Sequence, residues 1–307
     1  MIENIAPISG DARFEVSSCP ACSDSSGDRI FNESLDGVAI DVIICARCGV
    51  GYSNPRPTEA YKLRRYKEWT AGQRPWQLET HYDHRQQLRH FGLYREVMTL
   101  IQRHFKSGLI LDVGCAGGLF LVFAGVFASE HNSGLNSKYK AEGAGFDPGE
   151  VELAGRISGA PVRTLNQLSA VADGAYDAVT LLNVLEHVNR PLDLLRELRR
   201  LLRANGVMVV VVPNNELIFW KLSHGFAVRP ASLAADEHIN HFRPESLRRL
   251  LASAGFDRMT LVHGLVEGSY GSIARPPASN WLKYTVCRAM HSSRLAYVYP
   301  HIIAVAH

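Results

Sequence analysis

LILDVGCAGGLF, Leu109 to Phe120, joins an apolar run to an acid and then to a turn holding three glycines. The apolar run has the length and composition of a buried strand, and packing alone gives such a strand no reason to end in a carboxylate. In an open α/β sheet, ligands bind beyond the carboxyl ends of the strands. Gly114, Gly117 and Gly118 stand at such an end, where the missing Cβ atoms allow a sharp turn and close approach to the backbone. A tight strand-to-helix connection has the same needs, so the turn alone does not separate a binding site from a simple bend. Asp112 narrows the choice, because its carboxylate would repel a pyrophosphate and suit a cation. The dinucleotide pattern GxGxxG also fails, since it requires glycine at Ala116 and Leu119.

Outward from this turn, short apolar runs alternate with amphipathic segments, which predicts a parallel sheet with helices on both faces. LILDV, GAGFD, YDAVTLLN and VMVVVVPN read as strands, with AYVYPHIIAVAH supplying a last one. LFLVFAGVFA and EVELAGRI read as helices. PLDLLRELRRLLRANG reads as a third, opened by Pro191 and capped by Gly206, and PESLRRLLASAG as a fourth. Three regions separate: a module over residues 1–57, a helical linker or lid over 58–107, and an α/β domain over 108–307. The stretch from Tyr61 to His90, with Trp69, Trp76, Tyr82 and His84, reads either as a lid over a ligand or as a solvated helical surface.

With 46% apolar and 21% charged residues and a formal net charge of +3, the composition is that of a soluble globular protein. The opening segment lacks a basic start followed by an apolar stretch, and no run reaches the roughly 18 apolar residues of a membrane span. A cytoplasmic location without membrane contact is the expectation. In a reducing compartment, Cys19-Pro-Ala-Cys22 and Cys45-Ala-Arg-Cys48, 22 residues apart, read as a structural zinc site of four thiolates rather than as disulfides.

A second acid, Asp147, ends the strand in GAGFDP, where a carboxylate either accepts from both hydroxyls of a ribose or caps the next helix. LDVGCAGG, GFDP, YDAVTLLNVLEHV, LRRLLRANGVMVVVVPN and HINHFRPESLRRLLASAGF, in that order, resemble class I S-adenosylmethionine-dependent methyltransferases. The resemblance covers roughly Leu109 to Phe256 and implies a Rossmann-like sheet with S-adenosylmethionine as cofactor. It places Asp112, Gly114, Cys115 and Gly118 around the methionine portion, and Asp147 on the ribose. Phe146 and Pro148 would flank the adenosine, Asn166, Gln167 and Leu168 would lie at the adenine, and Asn183 near the sulfonium. Two departures stand out: Ala116 replaces the family's middle glycine, and SEHNSGLNSKYKAE lengthens the connection before Asp147.

CPAC, CARCG and GYSNPRPT resemble the amino-terminal zinc module of sugar C-methyltransferases, although the long carboxyl-terminal domain of those enzymes has no counterpart here. Methyl transfer needs alignment, and a base where the acceptor must lose a proton. Two Glu-His pairs offer one, Glu186-His187 and Glu237-His238. Glu237-His238 resembles the Glu-His element of the sugar enzymes, so His238 leads, followed by His241 and His187. Each histidine has the alternative role of shaping a loop. The expected partner is a small-molecule acceptor such as a sugar or a natural-product intermediate. A nucleic-acid methyltransferase finds no dense basic cluster at the cysteine turns and no Asn-Pro-Pro element after YDAVTLLN. A non-catalytic scaffold would not need Asp112, Gly114, Gly118 and Asp147 together.

Overall fold

A computed structural model describes residues 13–71, 84–127, 139–228, 233, 237–264 and 301–307. The amino-terminal part carries β1 (Phe14–Glu15), β2 (Gly27–Leu35), β3 (Val38–Cys45), β4 (Gly51–Asn54) and β5 (Arg56–Pro57). Helices α1 (Glu59–Ala71) and α2 (His84–His104) follow. The rest alternates as the sequence predicts, with one further short strand, β8, that was not read: β6 (Gly108–Val113), α3 (Leu119–Val126), β7 (Tyr139–Gly145), α4 (Pro148–Ser158), β8 (Val162–Thr164) and β9 (Tyr176–Leu182). Next come α5 (Pro191–Leu201), β10 (Leu202–Pro213), α6 (Glu216–Ser223), β11 (Asn240–His241), α7 (Pro244–Ser253), β12 (Met259–Gly264) and β13 (His301–Ala306).

The main sheet has the order β12-β13-β10-β9-β6-β7-β8. Its pairs are parallel except at β13, which runs antiparallel to β10 and to β12. From β6 the chain winds outward through β7 to β8, then returns to β9 on the other side and winds out to β10. The junction of β6 and β9 is therefore the topological switch point, the place where open α/β sheets bind their ligands. Val207 to Val212 are buried throughout, as a central strand covered on both faces requires.

Helix α5 shows how the local sequence sets an element. Pro191 occupies its first turn, and Pro191, Leu195, Leu198 and Leu201 form its buried stripe. The helix stops at Leu201, earlier than the expected cap at Gly206. Leu202 already pairs with Tyr176, and the ladder shifts register before Val207 meets Ala178. Arg203 is held there by an ion pair with Asp177. Gly206 serves that irregularity rather than a helix end, since a Cβ on it would lie 2.9 Å from Leu202 Cδ2 and 3.0 Å from the Arg203 carbonyl oxygen.

The amino-terminal sheet has the order β11-β4-β3-β2, so its outer strand comes from residues 240–241. Asn240 faces Tyr52 and His241 faces Gly51 across that pair. The two parts also share one apolar core: Cys19, Cys45, Cys48, Val50 and Tyr52 pack in the same cluster as Leu195, Leu198, Phe242, Leu247 and Leu250. A second cluster, on α2, α3 and α4, covers the opposite face of the main sheet.

Gly51 lies where the two parts meet, and a Cβ on it would sit 2.6 Å from Phe219 Cζ and 2.9 Å from His241 Cβ. Gly51→Ala should therefore cost about 1–3 kcal/mol, the range for overpacking. Urea unfolding should show it as a lower midpoint with unchanged slope.

Candidate functional site at the switch point

Asp112 closes β6 and pairs in register with Thr180 of β9, so the two straddle the switch point. The Thr180 hydroxyl donates to Asp112 Oδ1 at 2.6 Å. Burial pushes the Asp112 carboxyl up to about 7, against the downward pull of the Thr180 bond. The acid thus sits at the crevice partly neutral, ready to become charged when a cation arrives.

The glycine turn follows. Gly114 has φ +73°, and a Cβ there would lie 2.5 Å from Val184 Cγ2. Gly118 has φ +77° and precedes α3, where a Cβ would press within 2.9 Å of the Ala154 carbonyl oxygen. Ala116 adopts φ +44°, so the residue that departs from the family pattern takes a left-handed conformation that glycine reaches at lower cost. Cys115 is buried, and its Sγ fills the space beside Gly143, leaving only its backbone on the turn.

At the end of β7, Phe146 is 48% exposed, an unusual position for a large aromatic ring. Asp147 caps α4, its Oδ1 accepting from the amides of Gly149 at 2.8 Å and Glu150 at 3.4 Å. The cap and a ligand role remain compatible, because both amide bonds fall on one carboxylate oxygen. Pro148 is exposed beside it. Farther along, the Asn166 Oδ1 accepts from the Thr164 hydroxyl. Gln167 Oε1 takes the Thr164 amide at 2.9 Å, and the Leu168 side chain turns into the core. Among these three, only exposed Asn166 and Gln167 present side chains outward.

On the other bank, Asn183 follows β9 with φ +56° and a buried Oδ1 that has no hydrogen-bond partner. The chain then makes a short turn, Leu185–His187, that brings Glu186 inward. Glu186 is 1% exposed, and neither carboxylate oxygen has a hydrogen-bond partner. Burial pushes this carboxyl up to about 8, opposed only by the residue's own amide. His187 and His238 lie together, ring centroids 4.8 Å apart and nearly perpendicular at 74°. His187 Nδ1 meets the Glu237 carbonyl oxygen at 2.9 Å. The Glu237 side chain is exposed, so this residue enters the cluster through its backbone. His241 points to the other side of β11, fully enclosed and near Phe219, and burial pushes its imidazole down to about 3. The site therefore unites His187 and His238 and leaves His241 in the interior.

The sequence reading named Glu186 in a Glu-His pair but favoured Glu237, and it missed Asn240 and Lys62. Glu186, rather than Glu237, supplies the buried carboxyl; its flanking Val184, Leu185 and Val188 were the available signal. Asn240 donates from Nδ2 to the carbonyls of Leu185 at 2.8 Å and Val188 at 2.7 Å, fixing the turn from both ends. Lys62 of α1 donates to the His187 carbonyl at 2.6 Å and also to Asn189. Asn189 in turn donates to Glu15 and to the Pro57 carbonyl, each at 3.0 Å. Trp76 and Tyr82 lie outside the described residues, as do the side chains of Trp69 and His84.

The four cysteines gather on two matching turns. Ser23 and Gly49, each following the second cysteine of its pair, have φ +59° and +75°. Their amides donate to Cys19 and Cys45 carbonyls at 2.8 and 2.9 Å. Cys19 Sγ lies 3.4 Å from Cys48 Sγ, and Cys22 Sγ lies 3.5 Å from Cys45 Sγ. These separations far exceed a disulfide bond of about 2.05 Å. They approach the about 3.8 Å edge of a tetrahedron with metal–sulfur bonds of about 2.3 Å.

Comparison with known proteins gives the family of the chain. A family model described as a methyltransferase domain matches residues 82–261. The ubiquinone biosynthesis O-methyltransferase of Caulobacter sp. (strain K31) is 28% identical over 195 residues, 60% of this chain and 69% of that protein. Its counterpart from Caulobacter vibrioides is 28% identical over 188 residues, 58% of this chain and 67% of that protein. The crystal structure of the plantazolicin methyltransferase BamL, in complex with a triazolic desmethylPZN analog and SAH, has a TM-score of 0.50 at 11% identity. It covers 80% of this chain and 94% of that one, and so shares the fold.

Asn240→Ala removes both bonds that pin the Glu186–His187 turn. The Leu185 carbonyl keeps the Val188 amide at 3.4 Å, so the cost of about 1–3 kcal/mol for an unpaired buried group falls mainly on the Val188 carbonyl. The variant should unfold at lower denaturant, with faster amide exchange across residues 185–188.

Proposed function

The chain belongs to the S-adenosylmethionine-dependent methyltransferases, and from that premise we propose that it methylates a hydroxyl group of a small-molecule acceptor. The observation that carries this reading is the pairing of two unlike banks at the switch point. One bank is the Asp112–Thr180 pair under a bare glycine turn; the other is the pair of imidazoles from His187 and His238. When bound, the cofactor supplies an activated methyl group on a sulfonium, open to in-line displacement. The residues present fit it on their own terms: Gly114 leaves a space that any Cβ would fill, and Asp112 awaits a positive charge. Asp112 would hold the ammonium of the methionine portion, with the backbone of Gly114, Cys115 and Gly118 beneath it. Asp147 would take the ribose hydroxyls, Phe146 and Pro148 would flank the adenosine, and Asn166 and Gln167 would approach the adenine edge. Asn183 would turn its free Oδ1 toward the sulfonium.

The acceptor side is formed by the Glu186, His187 and His238 cluster. In the simplest mechanism, His238 takes the acceptor proton while His187, fixed by the Glu237 carbonyl, shapes the pocket beside it. The related ubiquinone enzymes, named as O-methyltransferases, favour oxygen as the acceptor atom over carbon or nitrogen. A sugar or another hydroxylated natural-product intermediate has the required chemistry. Zinc in the Cys19, Cys22, Cys45 and Cys48 site would be structural, because four thiolates leave no coordination position for a substrate.

Cofactor binding should depend on pH through Asp112. Its carboxyl, near 7 without ligand, is favoured in the charged form by a bound ammonium, so binding releases a proton. Affinity should be full above pH 7 and fall by up to about tenfold per unit below it. Titration calorimetry with S-adenosylmethionine measures both the affinity and the proton release. Asp112→Asn should weaken binding by about 10- to 100-fold and flatten the profile. Absence of cofactor binding at millimolar concentration in the unmodified protein would overturn the reading.

Metal analysis should find one zinc per chain in protein that has not been chelated. Cys48→Ser should lose it and lower the thermal midpoint, since the thiolates form part of the shared core.

A further inference from the structure

We propose that Glu186, His187 and His238 form a binding site for one divalent first-row transition ion, of the manganese or iron(II) kind, distinct from the cysteine site. Ligand atoms of these three residues all lie within 4.8 Å of one another. Bonds of about 2.1 Å place opposite ligands of one ion about 4.2 Å apart, so small side-chain rotations bring the three onto a common centre.

Three observations point to a cation rather than to a chance cluster. Buried polar groups in folded proteins are nearly always paired, and an exception asks for a reason such as an ion. Glu186 is such an exception, 1% exposed with both oxygens unpartnered. Next, imidazoles that bind metals commonly donate their other ring N–H to a carbonyl or carboxylate, which fixes the tautomer. His187 does this with Nδ1 on the Glu237 carbonyl at 2.9 Å, which leaves the Nε2 lone pair as the donor to a cation. Last, the turn carrying Glu186 and His187 is rigidly held. Asn240 pins the Leu185 and Val188 carbonyls and Lys62 holds the His187 carbonyl, so the ligands are positioned by the fold.

The donor set decides the class of ion. One carboxylate and two imidazoles on one side of a centre suit transition ions with open positions, whereas Mg²⁺ prefers oxygen ligands and Cu(I) prefers sulfur. An ion held by three protein ligands keeps positions for substrate oxygens. A hydroxyl bound there becomes more acidic and can release its proton to water. This inference rests on the acceptor-side reading for its role in methyl transfer. The ion would then take over the role of His238 as base, because the His238 lone pair would be spent on the metal.

Direct binding provides the test, with zinc-loaded protein and Mn²⁺ as the probe, followed by the electron paramagnetic resonance signal of free Mn²⁺. One Mn²⁺ per chain is expected beside the retained zinc, with no need for cofactor or acceptor. Glu186→Gln keeps the buried shape and removes the charge, and it should weaken Mn²⁺ binding by at least about tenfold while leaving zinc content unchanged. His238→Gln should do the same. Glu245→Gln, at an exposed position of α7, should bind as the unmodified chain does. No Mn²⁺ uptake by the folded protein, or equal uptake by the Glu186 and His238 variants, would overturn the site. Calorimetry with S-adenosylmethionine on the same samples separates the two ideas. Cofactor binding without Mn²⁺ uptake refutes the cation alone, whereas Mn²⁺ uptake without cofactor binding refutes the methyltransferase reading and leaves the metal site standing.

Discussion

The antiparallel pairing of Gly51 and Tyr52 with His241 and Asn240 holds this molecule together. Through it, a cysteine-bearing module from the start of the chain acquires its outer strand from a segment nearly 190 residues later. A short edge pair contributes little by itself. Here it is reinforced by packing: Tyr52 and Val50 enter the main core on one side, while Phe219 closes over Gly51 and His241 on the other. Arg243 and Arg249 reach from the start of α7 to the carbonyls of Gly49 and Arg47 at 3.3 and 3.2 Å, joining the second cysteine turn to the same helix. Because Asn240 belongs to this strand, the module also sets the height and tilt of the Glu186–His187 turn.

The electrostatics of the crevice follow from that enclosure. Burial drives the carboxyls of Asp112 and Glu186 upward and the amine of Lys62 downward, to about 8. His187 and His241 shift down as well. Every one of these shifts favours the uncharged form, as expected where water is excluded and opposite charges are scarce. A site in that condition gains most from a ligand that brings positive charge. Each of the two acids can then ionise against a partner, on opposite sides of the same crevice.

The strand, turn and helix that carry the proposed cofactor residues were legible in the sequence because they are local. Asp112, Gly114 and Gly118 lie within seven residues, and a strand followed by a turn and a helix converts that spacing directly into geometry. Apolar runs also mark most of the strands, whereas their order in the sheet was not read from the sequence. The boundary between α5 and β10 was harder to read. LRRLLRANG carries helical periodicity beyond Leu201, and only the pairing of Leu202 with Tyr176 ends the helix. The acceptor side was less legible still, because it depends on long-range contacts. His187 and His238 meet across 51 positions, and nothing local distinguishes His238 from His241, three residues on. Strand geometry makes the distinction: β11 sends His241 toward Phe219, while His238 precedes the strand and remains at the crevice.

The two cation-type donor sets in this chain also differ in chemistry in a way that keeps them apart. Four thiolates form a soft, closed tetrahedral set, whereas Glu186 with two imidazoles forms a harder, open one. Zinc favours the thiolates because each contributes a full negative charge and no position remains for water. Manganese and iron(II) gain less from sulfur and more from carboxylate and imidazole. The cysteine turns belong to the module whose sheet includes β11, and Asn240 of β11 links that sheet to the Glu186–His187 turn. An ion in the thiolate site can thus stabilise the strand that carries Asn240 without entering the chemistry. An ion at Glu186 can be taken up or released while the module stays folded. With both sites filled, structural and reactive roles would be divided between two ligand types, with the β11 strand between them.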